Sequence, residues 1–339
     1  MNFSNIRLSL KLPVTLVAMA FLATCSLGVI TAIIAKTSLE TSIHDKLTAL
    51  TEARKTTLSN YLSSIEKDLI LTRDHPFTIE ALKAFAEGWN NIPQDHERIL
   101  KDDYIKNNPN ALGEKHRLDK GASDLNYNEI HKKYHPVFRD FLEEHGYYDI
   151  FLISREGDLV YSVFKEEDYA TNLLDGEWRA SDLGNAAKAA LNNTAKDTVT
   201  FFDFKPYAPS HGAAASFIGT TIFDENNKPL GALVFQMPIG RINQLMQSEV
   251  GMGQTGETYI VGSDRLMRSD SRFSEESTVL KTSVDSQTVD MALNGEQGVA
   301  TIKDYRGVEV ISSYDFIDFN GTRWAVLGEV DVEEALHPV

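Results

Sequence analysis

Cysteine is almost absent from the 339-residue sequence, which contains a single thiol at Cys25. One cysteine cannot form an internal disulfide bond, and its position inside an apolar run keeps it away from the polar part of the chain. Positive charge is also scarce, since 33 Lys and Arg stand against 49 Asp and Glu and give a formal net charge of −16. Because an acidic surface repels phosphate groups, we expect no nucleic-acid partner.

Charged residues are missing altogether from residues 12–35. As a helix this run spans about 36 Å, enough to cross the hydrocarbon core of a membrane. Arg7 and Lys11 precede it, so the excess of positive charge predicts residues 1–11 in the cytoplasm and the rest of the chain outside. A cleaved signal peptide and a lipoprotein processed at Cys25 fit less well, because a signal-peptide core has about 7–15 residues and this run continues well beyond Cys25.

Glycine and proline are absent between Gly28 and Pro76, which predicts that the membrane helix continues unbroken to about Arg73. Apolar residues then recur at helical spacing at Leu39, Ile43, Leu47, Leu50, Leu58, Leu62, Ile65 and Leu69. Two interpretations stay open. In the first, the polar gap in the stripe at residues 51–57 divides the long helix (36–80), whose lower part pairs with a second copy to form a homodimer while its upper part packs on the domain. In the second, the whole stripe packs on the chain's own domain.

The segments that follow have weaker patterns. Residues 78–88 are predicted to form a second helix, and residues 126–145 are predicted to form an amphipathic one. Between them, residues 89–124 are rich in Asn, Asp and Lys, which predicts the least ordered part of the chain.

One small pattern occurs twice. YYDIFLISREGDLVYSV (147–163) and GQTGETYIVGSDRLMRSDSRF (253–273) each contain an acidic residue, an alternating apolar strand, a polar turn and a strand that ends in serine. The two acidic residues are 257 − 149 = 108 positions apart. Further along, a strand followed by the start of a helix-like segment also occurs twice, at residues 232–239 and 325–332, with a constant offset of 93. The sequence therefore predicts two copies of one antiparallel α+β domain.

With these pieces in place, the chain resembles the extracytoplasmic sensor region of double Cache receptors. That family includes bacterial methyl-accepting chemotaxis proteins, sensor histidine kinases and some nucleotide cyclases. The resemblance covers residues 36–339 and is carried by YYDIFLISREGDLVYSVFKEED, GALVFQMPI and GQTGETYIVGSDRLMRSD. It is specific for the fold and says little about the ligand.

The resemblance implies a fold class and a place in the cell. We expect an α+β chain in which the transmembrane helix (12–35) continues into a long helix (36–80) along two stacked PAS-like antiparallel-sheet modules. The membrane-distal module would span residues 81–238 and hold a small-molecule ligand, and the membrane-proximal module would span residues 239–339. The chain would sit in the bacterial inner membrane with its bulk in the periplasm, without cofactor or catalysis. Because such receptors continue into a second span and a cytoplasmic output domain, we expect this chain to be a fragment or a truncated gene product. Its output, whether chemotaxis, kinase or cyclase, cannot be read from these residues.

The resemblance also implies where ligand contacts lie. Family members that bind amino acids hold the ammonium with a Tyr-x-Asp segment and a strand-end Asp, but this chain has Pro209 and Gln236 there. Since a buried ammonium needs a partner, a small carboxylate or neutral polar ligand is expected, with a quaternary amine caged by Trp178 and Phe217 as second choice. The predicted ligand-binding residues are Tyr161, Lys165, Trp178, Arg179, Ser181, Tyr207, Ser210, His211, Phe217 and Gln236. Tyr161 and Ser162 point to opposite faces of their strand, so only one of them reaches the pocket.

Three motifs suggest other chemistry. Residues 251–256 match GxGxxG, but a helix-like segment precedes and a strand follows, which is the reverse of a dinucleotide site. His131 and His135 have metal-clasp spacing, although Pro136 disfavours helical geometry at His135 and a solvated face is expected. Ser210-His211 lacks a nucleophile elbow. An anchored periplasmic hydrolase that uses one of these pairs is the rival from another class.

Overall fold

The computed structural model describes residues 8–93, 95–193, 195–196 and 198–336. Residues 1–7 of the predicted cytoplasmic segment and the end of the chain at 337–339 lie outside these ranges. The first helix, α1, spans Leu8–Asp74 without a break, which confirms its predicted continuation beyond the membrane segment. Within the described ranges, α1 is the one helix long and apolar enough to cross a membrane, and its large apolar side chains from Leu12 to Ile34 are exposed.

The first sheet has five antiparallel strands. They are β1 (Asp149–Ser154), β2 (Leu159–Ser162), β3 (Val199–Tyr207), β4 (Ala213–Phe223) and β5 (Pro229–Gln236), in the order β2-β1-β5-β4-β3. The other helices around it, in chain order, are α2 (Pro76–Asn90), α3 (His96–Lys101), α4 (Asn126–His145) and α5 (Asp182–Asn192). Phe151, Phe217 and Val234 pack under α5, whereas Leu152 and Phe235 face α1, α2 and α4.

The second sheet has four antiparallel strands. Helix α6 (Ile239–Met246) leads into β6 (Glu257–Val261), α7 (Gln287–Leu293), β7 (Gly298–Lys303), β8 (Glu309–Phe319), β9 (Thr322–Asp331) and α8 (Val332–Leu336). The strand order is β6-β9-β8-β7, and α7 packs on one face. Two sheets along a long helix confirm the predicted fold class. The limits 81–238 and 239–339, and the distal and proximal placement of the modules, stay predictions.

Helix α1 packs against the backs of both sheets. Leu58, Leu62, Ile65 and Leu69 are at most 1% exposed and share one apolar cluster with strands of the first and second sheets. Nearer the membrane, Ile43, Leu47 and Leu50 contact Met252, Ile311 and α8. The stripe therefore packs on the chain's own modules, as the second interpretation expected, while pairing with another copy stays a prediction.

The polar gap in the stripe is a point of close approach. Thr51 is buried, and its hydroxyl donates to the Leu47 carbonyl at 2.9 Å. A Cβ atom at Gly328 of β9 would lie 2.3 Å from the Thr51 hydroxyl oxygen. Glycine at position 328 thus lets α1 approach the second sheet where the helix carries a small residue.

The polar tract 89–124 is more ordered than its composition predicts. It contains α3, a π-helical turn (Asp102–Lys106) and a 3₁₀ turn (Lys115–Arg117). Leu100 and Tyr104 are fully buried, and the Tyr104 hydroxyl donates to Asn128 of α4 at 2.7 Å. The prediction was wrong because a few apolar anchors and internal hydrogen bonds hold a segment that is polar on average.

One aspartate joins the two modules. Asp203 of β3 accepts hydrogen bonds from the Trp324 indole of β9 at 3.0 Å and from the Arg268 guanidinium at 3.1 Å. Arg268 is 3% exposed and also contacts Asp264 at 2.9 Å. Phe201 packs edge-on against Trp324 at 5.9 Å beside these polar contacts. A buried charge and an aromatic contact therefore connect β3 of the first sheet to β9 of the second.

We predict that Asp203→Ala lowers the free energy of unfolding by about 2–4 kcal/mol, because it leaves a buried guanidinium and an indole N–H without their acceptor. Urea unfolding of the chain in detergent micelles, followed by circular dichroism, measures this loss. Asp318→Ala is the control, since Asp318 forms an exposed pair with Arg323 and we expect little change. Equal effects of both substitutions would contradict the prediction.

Candidate ligand-binding site

A cavity of about 400 Å³ lies between the first sheet and α5. We call it the α5 cavity. Its walls come from the turn before α5, from the end of β3 with the turn that follows, and from β4. The lining residues are Trp178, Ala180, Ser181, Asp182, Asn185, Lys205, Pro206, Tyr207, Ala208, Pro209, Ala215 and Phe217. Its size suits a small organic molecule.

Local structure fixes the mouth of the α5 cavity. Ser181 caps α5 by accepting a hydrogen bond from the Gly184 amide at 3.1 Å, and its hydroxyl donates to the Trp178 carbonyl at 2.7 Å. A Cβ atom at Gly184 would lie 2.6 Å from that carbonyl oxygen, so glycine lets the Trp178 turn fold onto the helix. Trp178 is thereby held at the cavity wall.

Aromatic rings and one free donor line the cavity. The Tyr207 and Phe217 rings meet edge to face at 5.0 Å, and Trp178 completes the aromatic wall. Within the described ranges, the Trp178 indole N–H is buried without a hydrogen-bond acceptor. A ligand with an acceptor group would satisfy it.

A carboxylate lines the cavity, which the argument from Pro209 and Gln236 did not anticipate. Pro209 and Gln236 do replace the expected acids, but Asp182 at the start of α5 faces the α5 cavity. The Lys205 ammonium lies 3.0 Å from its Oδ2 atom. The sequence argument examined two positions of one motif, whereas the fold brings carboxylates from other segments.

More carboxylates lie directly behind the cavity wall. The Tyr207 hydroxyl donates to Asp168 Oδ2 at 2.6 Å. The Ser210 hydroxyl donates to Glu166 Oε2 at 2.5 Å, and the Gln236 amide lies 3.5 Å from Ser210 Oγ. Burial raises the pKa of Asp168 to about 7 and also raises the pKa of Glu166. Both carboxyls therefore hold their protons to higher pH than exposed ones do.

Three acceptor atoms in this region lack a donor within the described part of the chain: Asp168 Oδ1, Asp149 Oδ2 and Gln236 Oε1. Asp149 pairs with Gln236 across β1 and β5, and Gln236 pairs with Phe217 of the cavity wall. The three acceptors and the α5 cavity thus belong to the same side of the sheet. Buried acceptors without donors favour a ligand that brings donors.

Lys165 lies outside the α5 cavity, with its ammonium group among tyrosine rings. It has a positive φ of 61°, and its ammonium lies over the Tyr161 and Tyr169 rings at 4.5 and 5.1 Å and donates to the Ser162 carbonyl. Burial lowers its pKa to about 7, while nearby Asp149 acts in the opposite direction. Lys165 also borders a separate cleft of about 160 Å³ with Glu166 and His211.

The ten predicted ligand residues separate into four groups. Trp178, Ser181, Tyr207 and Phe217 line the α5 cavity. Ser210 and Gln236 lie behind its wall, and Lys165 and His211 line the smaller cleft. The structure does not bring the other two, Tyr161 and Arg179, to the cavity.

Tyr161 and Arg179 need correction for different reasons. Tyr161 pairs with Leu152, so it faces α2 and stacks on Phe85 at 4.7 Å, while its neighbour Ser162 pairs with Phe151 on the α5 side. Arg179 is exposed, and its guanidinium donates to the Gly176 carbonyl at 3.2 Å. The carboxylates that the prediction missed gave two signals: Asp149 is an acidic residue at the start of an apolar strand, and Glu166 and Asp168 belong to the charged run that follows Phe164. Asp182 directly follows the predicted Ser181.

His131 and His135 are not on a solvated face. Both are fully buried in α4 with stacked rings 4.3 Å apart, and the helix continues through Pro136. His135 contacts the Tyr161 hydroxyl at 2.8 Å. Burial, followed by the charge of Lys165, holds the pKa of both histidines well below the usual value, so they are neutral. Within the described residues, no group of three or more His, Cys, Asp or Glu is placed to hold a metal ion.

The glycine-rich loop binds a carboxylate of its own chain. Helix α6 precedes it and β6 follows, as expected for a connection that does not bind a dinucleotide. The backbone amides of Gln254 and Thr255 donate to Glu334 of α8 at 2.9 and 2.7 Å. The loop therefore fastens the C-terminal helix to the second module.

A long apolar helix that continues along two PAS-like sheets, the first with a cavity, defines a sensor module of membrane receptors. The sequence profile of the Cache domain family (dCache_1) matches residues 35–339, and the chain belongs to that family. Cache domains are ligand-binding sensor modules that lie outside the cell in membrane receptors. No curated protein sequence matches the chain.

Solved structures share this fold. The chain is similar to the extracellular domain of the putative histidine kinase soHK1S-Z6, with a TM-score of 0.52, 12% identity and coverage of 88% of this chain and 97% of that one. It is also similar to the sensory domain of the Campylobacter jejuni chemoreceptor Tlp3 with isoleucine bound, with a TM-score of 0.50, 13% identity and coverage of 88% and 97%. At such identities the similarity concerns the fold alone.

We predict that Asp149 and Lys165 are energetically coupled. Asp149→Asn and Lys165→Met should each lower the free energy of unfolding by about 1–3 kcal/mol, because each leaves the other group buried without its opposite charge. The double variant should lose about 1–2 kcal/mol less than the sum of the two. Chemical unfolding of the four proteins measures this coupling, and strictly additive losses would contradict it.

Proposed function

We propose that this chain is the extracytoplasmic ligand-sensing region of a bacterial transmembrane receptor, and that the α5 cavity binds a small molecule with an ammonium group. The observation that carries the ligand class is the carboxylate of Asp182 in the cavity lining, supported by the buried acceptors without donors behind the wall, Asp168 Oδ1, Asp149 Oδ2 and Gln236 Oε1. The sensor class rests on membership of the Cache family. The argument for a carboxylate ligand no longer holds, because acidic groups lie in the cavity lining and behind its wall.

An ammonium group matches the site in charge and in hydrogen bonding. It supplies three donors and one positive charge, and the region offers the carboxylates of Asp168 and Asp182. The buried Trp178 N–H would meet an acceptor on the same ligand. An amino acid or a polar amine combines both features. A quaternary amine is the second candidate, since Trp178, Tyr207 and Phe217 line one cavity with aromatic rings.

The route from ligand to membrane runs through β3 and α1. Tyr207 of the α5 cavity and Asp203 of the module contact belong to the same strand. The second sheet then packs on the lower part of α1, where Lys55 contacts Asp315 at 2.8 Å. A ligand that favours one position of β3 would shift the second sheet against the helix that enters the membrane. Anchoring in the bacterial inner membrane with the two modules in the periplasm is part of this proposal.

We predict that ammonium compounds raise the thermal unfolding midpoint of the full chain in lipid nanodiscs. The panel contains the L-amino acids, choline and the organic acids succinate and malate. A compound present at 100 times its Kd stabilises by about 2.7 kcal/mol. Asp182→Asn and Trp178→Ala should each weaken the best amine at least about tenfold, or about 1.4 kcal/mol.

Asp175→Asn is the matched control, because Asp175 is exposed in the same segment and does not line the cavity. It should leave the affinity unchanged. Stabilisation by succinate or malate, with no response to amines, would overturn the ligand class. Stabilisation by choline alone would select the quaternary amine.

We also predict that amine affinity rises with pH. Asp168 has a pKa raised by burial to about 7, so it is neutral below that pH and gains the charge that attracts an ammonium above it. Titration calorimetry with the best amine between about pH 6 and pH 8 should show tighter binding at the higher pH, and Asp168→Asn should flatten this dependence. An unchanged pH profile in Asp168→Asn would exclude Asp168 from the site.

A further inference from the structure

Two glutamates lie side by side on the second sheet. Glu257 opens β6 and pairs directly with Glu329 of β9, and each is 1% exposed. Tyr259 and Leu327, two residues along each strand, belong to the apolar cluster under α7. Because side chains two apart share a face, the two glutamates also lie on the α7 side.

The pair occupies the positions that Asp149 and Gln236 occupy in the first sheet. The offsets are 257 − 149 = 108 and 329 − 236 = 93, the same values that relate the two sequence repeats. Asp149 and Gln236 are also direct partners across antiparallel strands. The second module therefore repeats the acidic position of the first and adds a second carboxylate where the first has an amide.

Hydroxyl groups surround the pair. Tyr305 donates to Glu257 Oε1 at 2.6 Å, and Ser271 donates to its Oε2 at 2.8 Å. Tyr259 donates to Glu329 Oε2 at 2.9 Å. In the parts of the chain that the structure describes, Glu329 Oε1 is buried without a hydrogen-bond partner.

The charged groups near the pair are already bound to each other. Arg306, in the turn between β7 and β8, contacts Asp304 at 2.6 Å and Asp331 at 2.7 Å. From β8 and α7 the facing groups are the Ser312 and Thr288 hydroxyls, which lie 3.2 Å apart. Asp304 adds negative charge, and Arg306 partly offsets it at Glu257.

This environment opposes two negative charges. Burial raises the pKa of Glu329 to about 7; the Ser312 and Tyr259 hydroxyls oppose this rise, and the charges of Asp304 and Glu257 add to it. Burial also raises the pKa of Glu257. Two buried carboxyl groups on neighbouring strands resist ionising together, so one of them keeps its proton to higher pH.

We propose that Glu257 and Glu329 form a proton-binding site in the second module, in which the pair holds one proton near neutral pH and exchanges it with water. The unpartnered oxygen of Glu329 and the direct cross-strand pairing of two buried acids are the observations that define the site. The ligand is the proton itself, so the second module responds to pH independently of the molecule in the α5 cavity.

Loss of the proton acts on the strand that leads to the membrane side of the chain. Glu329 lies near the end of β9, and α8 begins at Val332. Val332 and Ala335 pack against Leu47 of α1. Repulsion between the ionised glutamates would therefore weaken the contact between β6 and β9, next to the segment that contacts the long helix.

The sign of the stability change follows from the raised pKa. The folded chain holds the proton at a higher pH than the unfolded chain does, so stability is fully present below the ordinary glutamate pKa. It is lost as the pH rises toward about 7, where the folded Glu329 ionises. Each proton held only by the folded state changes the unfolding equilibrium constant about tenfold per pH unit in this window.

The test compares the full chain in lipid nanodiscs with Glu329→Gln and Glu257→Gln. Glutamine is matched in shape, and Gln236 already fills the equivalent place in the first module. We expect the unfolding midpoint of the unsubstituted chain to fall between about pH 5 and pH 8. The fall should be smaller by the contribution of one proton in Glu329→Gln, and smaller by a lesser amount in Glu257→Gln, where burial still raises the pKa of Glu329. Glu296→Gln, an exposed control after α7, should follow the unsubstituted chain.

Infrared spectroscopy gives a second measurement that does not depend on stability. At pH 6 the unsubstituted chain should show the band of a protonated carboxyl group that Glu329→Gln reduces and Glu296→Gln leaves intact. Parallel pH profiles of the unsubstituted chain and both variants, or an unreduced band, would overturn the proposal. If one variant does not fold, the pH profile of the other variant and the infrared band of the unsubstituted chain still test the proposal. Because amine binding is not part of this test, the site in the first module can fail without affecting it.

Discussion

The packing of one helix against the backs of two sheets is the constraint on which the structure depends. Leu58, Leu62, Ile65 and Leu69 of α1 are buried in a cluster that includes residues of both modules. Burying a leucine side chain contributes about 1.5–3 kcal/mol, and α1 is continuous with the segment suited to a membrane. Any relative movement of the sheets must therefore be accommodated along a helix that reaches the bilayer.

This constraint also explains why the direct contact between the modules needs few groups, with Asp203 lying beside the packed rings of Phe201 and Trp324. The cluster on α1 already holds the sheets side by side, so the direct link between them can be a few groups around Asp203. β3 carries this link at its middle and the cavity residue Tyr207 at its end. A strand with both features is suited to pass a local change at the ligand to the second module.

The two modules share a plan and differ in their polar interiors. Both place an acid at the start of the strand that precedes the polar turn of the repeat, at Asp149 and Glu257. In the first module a cavity opens beside it, and the opposite strand supplies Gln236. In the second, Glu329 takes that place and hydroxyls close around the pair. The same backbone thus supports a site for a small molecule and, in our proposal, a site for a proton.

The sequence by itself determined the long helix, the two repeated units and the family. Periodicity in α1 and α4, and the offsets between repeats, depend on neighbours close in the chain, so local patterns suffice. Four cavity residues, Trp178, Ser181, Tyr207 and Phe217, also followed from the family pattern. The repeat even aligned Gln236 with Glu329, although the meaning of that alignment needed the strand register.

Only the tertiary structure decided the charge of the cavity and the environment of its neighbours. Asp168 and Asp182 both lie before β3 in the chain, and their approach to Tyr207 and the cavity depends on how the segments between β2 and α5 pack on the sheet. The same holds for Tyr161, whose face depends on a register shift beside it, and for His131 and His135, which the tract before α4 covers. A strand changes faces with each residue, and burial is set by distant segments, so neither could be obtained from local sequence.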